Sequence, residues 1–396
     1  MHKKILWFFI LTIGIFFIAL AVGYIRTPIT QKITTIILPP EIINVETIKS
    51  QETEDAKPNT KKQPTVTVFS EKLGPVRLMT FSPDNVLIAS ITKQGRVVAL
   101  PDKNNDDKAD RVVDVIKNLQ LPHGLAFHKN NLYIAETNQV IRLNNFKNDF
   151  TYDSVDTILT GIPGGQNHFS RTLVIKDDKM YVSVGSSCNV CHEKDAWRAA
   201  VIQANLDGSN PKIFASGLRN SVGIDFHPKT NELWGSDNGR DLLGADLPPE
   251  EINIIKEDAN YGWPICYGQK NHDTSFDINI YKRNPCEDTV APIYEMQAHT
   301  APLGIRFYSG DMFPEYNNNL FIALHGSWNR VIPVGYQVMR MEITESEITK
   351  EHKFIDLSSL PVKIDRFRPV DINFDTQGKI YISDDHNGII FLVTKK

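Results

Sequence analysis

Five short segments follow one another between Asn167 and Tyr267: N-H-F-S-R-T-L-V-I, G-L-R-N-S-V-G-I-D-F-H-P, S-D-N-G-R-D, E-I-N and N-Y-G-W-P. In that order they set a histidine (His168), an arginine beside an amide (Arg219, Asn220), an acidic turn (Asp237, Asn238, Gly239) and an aromatic turn (Tyr261, Trp263) on successive loops. An imidazole titrates near neutral pH and is a natural general base for a hydroxyl proton. A guanidinium offers a rigid fork of donors matched to planar anions. Arg366 and Arg368 alternate along one extended stretch and therefore point the same way; Arg330, in H-G-S-W-N-R, is a further candidate. The oxygens of the Asp237-Asn238-Gly239 turn suit a hard cation. Each residue also has a plain structural explanation: a hydrogen-bonded core histidine, an arginine in a surface ion pair, or an ordinary Asp-Asn-Gly turn. Their ordered placement on consecutive loops favours chemistry.

Such loops need a scaffold, and from Val66 onward one unit recurs. An alternating strand ends near Phe, a turn rich in Asp, Asn, Lys or Gly follows, then a second strand ending in small or polar residues, then a third. The unit begins at Arg77, His123, Thr172, Val222, Leu303 and Pro369. Repetition of small antiparallel sheets around an axis hides their edges, so an all-β, six-bladed β-propeller over residues 66–396 is expected. A pair of β-sandwiches suits the same period-two strands but leaves the recurrence unexplained. The insertions Ser186 to Ala199 and Gly268 to Gln297 then become loops on a rim.

With 396 residues the chain can bury a large core, and its formal net charge of -4, with no Lys/Arg block, gives no footprint for nucleic acid. Lys3 and Lys4 precede an uncharged run from Ile5 to Ile25, long enough to cross a bilayer as a helix with the basic side in the cytoplasm. A transmembrane helix over residues 1–26 is therefore expected to precede the propeller and hold it on the periplasmic or extracellular side. The Ala19-Leu20-Ala21 pattern supports a cleaved signal peptide instead; both readings export the body. Residues 27–65 read as a polar, Pro-containing tether.

The segments G-S-S-C-N-V-C-H-E-K-D, R-N-S-V-G, L-P-P-E-E-I-N, N-Y-G-W-P, H-T-A-P-L-G, L-H-G-S-W-N-R-V-I-P-V-G-Y and R-F-R-P-V-D, in this order, resemble the glucose/sorbosone dehydrogenase family, closest to its sorbosone-type branch. The soluble members are pyrroloquinoline quinone (PQQ) sugar dehydrogenases. The resemblance covers nearly everything after the tether and implies oxidation of a sugar or sugar-derived aldehyde by hydride transfer to PQQ. It implies His168 as the catalytic base, Arg219 and Asn220 on the quinone oxygens, and Arg366, Arg368 and Arg330 as further cations for a tricarboxylate. It also implies Ca²⁺ at the loop of Asp237, Asn238 and Gly239, and an electron acceptor downstream. One departure is visible: where the family commonly has H-x-S-G-R-L, Arg171 and Thr172 here change the spacing.

Four cysteines suit an oxidising compartment. Cys188-Asn189-Val190-Cys191-His192 spells a haem c attachment signature, but a disulfide within this loop is the favoured reading, with Cys266 and Cys286 stapling the long insertion. Zinc on four thiolates is a further alternative. The run Asp102 to Asp110 places oxygens at alternate positions like a calcium loop, yet lacks its glycine and closing glutamate and reads better as a solvated acidic turn. Tyr267, Trp328, His123, Glu136, His299 and His325 are candidates for the pocket wall without a specific role. Two rival functions remain: a lactonase-like hydrolase, whose central cation needs several carboxylates, and a non-catalytic binding propeller.

Overall fold

A computed structural model describes residues 64–165 and 167–395. Six sheets of sequence-consecutive antiparallel strands follow the chain. Blade 1 spans Val76–Phe81, Leu87–Ile91, Arg96–Leu100 and Val113–Ile116. Blade 2 spans Gly124–His128, Asn131–Ala135, Val140–Asn144 and Ser154–Leu159; blade 3, Leu173–Lys176, Lys179–Val184, Ala200–Asn205 and Lys212–Ser216. Blade 4 comprises Gly223–Phe226, Leu233–Asp237, Glu250–Ile255 and Tyr294–Met296; blade 5, Pro302–Phe307, Leu320–Leu324, Gln337–Thr344 and Glu347–Asp356. Blade 6 uses Pro369–Phe374, Ile380–Asp384 and Ile389–Lys395, and its outermost strand is Pro64–Ser70 from the other end of the chain. Each innermost strand lies against those of both neighbouring blades, so the six close a ring. The expected propeller is the observed fold.

The second strands are buried on both faces because they are pressed between neighbouring blades: Leu87–Ile91, Leu320–Leu324 and Ile380–Asp384 are buried throughout. The core accordingly sits between blades. Ile88, Val97 and Ala99 of blade 1, for example, pack on Leu125, Leu132 and Ile134 of blade 2. Leu78, Val222, Leu303 and Val370, contributed by four different blades, form a small apolar cluster. The recurring glycine of H-G-L and V-G-I has a backbone reason. A Cβ on Gly124 or Gly223 would overlap a carbonyl oxygen, of Arg171 or Leu303 respectively, on the neighbouring innermost strand or its lead-in.

The expected membrane helix and tether lie outside the described residues. Among the described residues no helix is long and apolar enough to cross a membrane.

Candidate active site

Because the innermost strands run the same way around the ring, the segments leading into them and the loops joining second to third strands emerge on one face. The segments containing His168, Arg219-Asn220 and Arg366–Arg368 are lead-ins; Gly185 to Ala199, Asn238 to Pro249 and His325 to Tyr336 are the loops between second and third strands. Hydrogen bonds lace the two sets together: Ser186 N–H to Arg219 O at 2.8 Å, His325 N–H to Ala301 O at 3.0 Å, Arg368 N–H to Asp384 Oδ2 at 3.3 Å. The N-Y-G-W-P turn reaches this face by a different route. Ala259–Asn260 runs parallel to Lys212–Ser216 along the edge of blade 3, and Tyr261 and Trp263 then bond to the carbonyls of Ser216 and Gly217.

His168 is held in the left-handed region, at φ 43°. Its carbonyl accepts from Arg171 Nη1 at 2.7 Å, and the fully buried Arg171 also donates to Thr137, Ser170 and Pro163 carbonyls. A strained backbone held by a dedicated side chain is common at functional positions. Nδ1 of His168 lies 3.0 Å from the Ser186 carbonyl and 2.8 Å from its hydroxyl. Burial, and then the charge of Arg219, push the imidazole down to about 3, so it is neutral at ordinary pH. A Cβ on Gly185 would collide with both His168 Cβ and Asn220 Oδ1, so this glycine lets the lead-ins of blades 3 and 4 converge.

Arg219 is buried, and its side chain is engaged by the protein. Nε donates to Asn189 O at 2.8 Å, Nη2 to Asn189 Oδ1 at 3.0 Å, Nη1 to Asn238 O at 3.1 Å, and Asp241 stands 3.6 Å away. It therefore ties the cysteine loop of blade 3 to the acidic loop of blade 4. Asn220 beside it is only partly buried.

Arg366 is exposed and Arg368 partly buried; each guanidinium carbon sits 5.8 Å from the Tyr336 ring centroid, and neither has a carboxylate within ion-pair distance among the described residues. Arg368 Nη2 donates to His325 Nδ1 at 2.6 Å, His325 Nε2 donates to Asp385 Oδ1 at 2.9 Å, and Asp385 Oδ2 pairs with Arg77 at 2.6 Å. Burial drives His325 down to about 4, so the ring is a neutral link. Burial would raise Asp385, but the His325 bond and the Arg77 charge outweigh it and hold the carboxyl well below its usual range. Arg77 is thus the one guanidinium paired directly with Asp385, while those of Arg366 and Arg368 have no ion-pair partner among the described residues and are available to an anionic ligand. Arg330 is placed differently. It donates to the carbonyls of Ala245 and Ala298 and to Asp246, tying the blade 5 loop to the blade 4 loop.

Arg219, Asp237, Asn238 and Gly239 line a cavity of about 20 Å³ with Glu251, Tyr261, Trp263 and Asp273, room for one water or ion. Asp237 accepts from Asn220 N (2.7 Å), Ser221 Oγ (2.9 Å) and Arg219 N (2.9 Å), which leaves it little free acceptor capacity. Among the described residues Glu251 accepts from Gly268 N at 2.7 Å and Asn253 Nδ2 at 3.1 Å alone. Burial pushes both carboxyls up to about 7, and the charge of Asp237 adds to the rise at Glu251. Two buried carboxylates beside an ion-sized space fit a hard divalent cation, with Glu251 the better side-chain donor. Arg366 lines a separate cavity of about 250 Å³ with Asp365, Tyr336, Phe367, Leu357 and Pro333. Arg219 and the acidic turn thus line one cavity and Arg366 another, while His168, Asn220, Arg330 and Arg368 line neither.

Both expected disulfides are present, Cys188–Cys191 and Cys266–Cys286. The first occupies both thiols that haem attachment would need. His299 Nε2 bonds to Gly244 O at 2.8 Å, and Glu136 accepts from the Gln120 amide, so these two act in loop architecture. Sequence reasoning did not single out Ser186, Asn189, Arg77, Asp385 or Glu251. Ser186 and Asn189 lay inside the quoted cysteine motif, Glu251 inside the quoted E-I-N segment and Arg77 at the start of the first repeat, but none was given a role.

The closed ring of blades is a six-bladed β-propeller, and by sequence the chain belongs to the PQQ sugar dehydrogenase family. Within that class the chain belongs to the TrAA12-like family, which matches residues 58–396. An uncharacterized protein of Borreliella burgdorferi is 36% identical over 303 residues, covering 72% of this chain and 79% of its own length. A pyrroloquinoline quinone-dependent sugar dehydrogenase of Hypocrea jecorina is 25% identical over 333 residues, covering 70% and 75%. The calcium structure of the Trichoderma reesei family AA12 protein has a TM-score of 0.72 at 24% identity over 84% of this chain and 96% of that one. The PQQ domain of Coprinopsis cinerea pyranose dehydrogenase has a TM-score of 0.69 at 21% identity, over 84% and 95%. These two structures speak for the fold.

Proposed function

We propose that this protein oxidises a sugar or sugar-derived aldehyde, of aldose or sorbosone type, with PQQ as its cofactor and Ca²⁺ as its metal. The observation that carries this reading is a neutral imidazole and an excess of guanidinium groups on one face of a propeller whose relatives are PQQ-dependent sugar dehydrogenases. PQQ, when bound, supplies an electrophilic carbonyl that takes a hydride, and Ca²⁺ polarises it as a Lewis acid.

The chain's own residues supply the rest. His168 takes the substrate hydroxyl proton on Nε2, the nitrogen not engaged by Ser186. Arg366 and Arg368 hold carboxylates of the cofactor; the Asn220 amide is free to hydrogen-bond a quinone oxygen. Arg219 acts by holding the loops that carry Asn189, Asn238 and Asp241, and Arg330 by tying the blade 4 and blade 5 loops. A cation in the Asp237–Glu251 cavity would fix the Asp237, Asn238 and Gly239 turn. A lactonase-like centre would need converging carboxylates where Arg77, Arg366 and Arg368 stand. The two disulfides suit an exported protein, anchored by the apolar run Ile5 to Ile25 or secreted if that run is cleaved. The electron acceptor is a separate redox partner.

The test is purified full-length protein reconstituted with PQQ and Ca²⁺ and screened on aldoses and sorbosone with an artificial dye acceptor. Turnover should require PQQ, and His168→Ala should lose roughly 10²–10⁴-fold in kcat while still binding cofactor. Dye reduction indifferent to PQQ would overturn the reading.

A further inference from the structure

We propose that Ser186 is the positioning residue of this site, fixing His168 as the Nδ1–H tautomer so that Nε2 is the proton-accepting nitrogen. The inference rests on the functional reading above, but its geometry is independent of it. Ser186 is fully buried, and all of its polar atoms converge on the two lead-ins that carry His168 and Arg219.

The hydroxyl has one proton, and that proton is donated to Cys188 O at 2.7 Å. Toward His168 Nδ1, at 2.8 Å, the same oxygen can only accept. The Ser186 carbonyl, 3.0 Å from the same nitrogen, can only accept as well. Two acceptors on one ring nitrogen require that it carry the hydrogen. The opposite tautomer would set a lone pair against the Ser186 carbonyl and would draw the hydroxyl proton away from Cys188 O.

The direction of the hydroxyl is itself held. Cys188 is closed to Cys191 by the disulfide, and Asn189 between them is anchored on both sides, accepting from Arg219 and from Asp241 N at 2.8 Å and donating to Asp241 O at 3.0 Å. The Ser186 amide donates to Arg219 O at 2.8 Å, so the loop and the blade 4 lead-in move as one piece. The charged groups facing His168 are Arg219 from blade 4 and Arg198 and Arg171 from blade 3; among the described residues no carboxylate pairs with it. Its Nδ1 partners are thus neutral, and its charged neighbours resist protonation.

The first readout needs no cofactor: ¹⁵N NMR of the imidazole rings in the apo full-length protein, with His168→Ala to assign the signal. Wild type should show His168 as Nδ1–H, and Ser186→Ala should populate the Nε2–H form to roughly a tenth or more. The second readout is kinetics with PQQ and Ca²⁺. Ser186→Ala should lose about tenfold in kcat with little change in KM, and Ser186→Thr, which keeps the hydroxyl, should restore most of it. Ser186→Asp should raise the acid limb of kcat by at least about one pH unit, because a carboxylate partner favours the protonated ring. Thr and wild type answer the question even if Ala or Asp folds poorly, which the melting temperature would reveal. A wild-type His168 found as Nε2–H, or a folded Ser186→Ala with unaltered tautomer and kcat, would overturn the proposal. Absence of PQQ-dependent turnover with the tautomer as stated would instead overturn the functional reading and leave the positioning role standing.

Discussion

His168 acts as a base only while uncharged, and burial together with Arg219 lowers its proton affinity. The sign follows directly. Protonation on going to acid removes the acceptor, so activity falls as pH drops through the folded-state value, which lies below that of a free imidazole. The acid limb of kcat/KM should therefore fall at lower pH than about 6.5, the value of a free imidazole; a limb at or above that pH would show that His168 is not the group titrating. Among the described residues Arg366 and Arg368 have no carboxylate within ion-pair distance, so each removal should be felt by an anionic ligand. Arg366→Ala or Arg368→Ala should weaken PQQ binding by roughly 10- to 100-fold, about 1.4–2.8 kcal/mol each, measurable by cofactor titration. These residues were legible in the sequence because residue type and alternation carry chemical meaning. Ser186 and Asp385 were not: their importance comes from which neighbour the fold places beside them, and Ser and Asp are common in loops for other reasons.

At the scale of elements, the blade 3 loop and the blade 4 insertion are each closed by a disulfide, but the two should behave differently. Cys188 and Cys191 are three residues apart and Cys266 and Cys286 twenty. Loop-closure entropy then assigns about 2 kcal/mol to the first and about 3 kcal/mol to the second. The short loop carries Ser186 and Asn189 beside His168 and Arg219, whereas the long one braces the insertion from which Cys266 and Tyr267 reach the wall of the ion-sized cavity. Cys188→Ser with Cys191→Ser should lower kcat more than it lowers the melting temperature, and Cys266→Ser with Cys286→Ser the converse; equal losses of both would remove the distinction. Both pairings were expected from the spacing of the cysteines and from the family resemblance. The route by which N-Y-G-W-P reaches the site face was hidden, since Ala259–Asn260 pairs with a strand of the preceding blade rather than its own. Parallel pairing of two residues leaves no periodicity to read.

For the whole molecule, the repeating unit made the propeller readable, and one property followed only from the coordinates: how the ring is shut. Pro64–Ser70 pairs antiparallel with Ile389–Lys395, so the last blade is completed from the opposite end of the chain. The closing strand serves two seams. Val66 and Val68 pack on the cluster between blades 5 and 6, while Phe69 enters the cluster between blades 6 and 1 and meets the Tyr381 ring edge-on at 5.0 Å. The Arg77–Asp385 ion pair bridges that second seam and leads through His325 to Arg368. Removing Pro64–Ser70 exposes three apolar side chains' worth of contact and a row of backbone groups, a loss on the order of 5 kcal/mol, comparable to the whole margin of a typical domain. The shortened protein should melt far lower, and where it still folds it should bind PQQ more weakly, because blades 6 and 1 no longer hold Arg77 and Arg368 in register. A peptide of the Pro64–Ser70 sequence added in trans should recover part of both. A shortened protein that melts within a degree or two of the full chain, with cofactor affinity intact, would mean that blade-to-blade packing alone closes the ring.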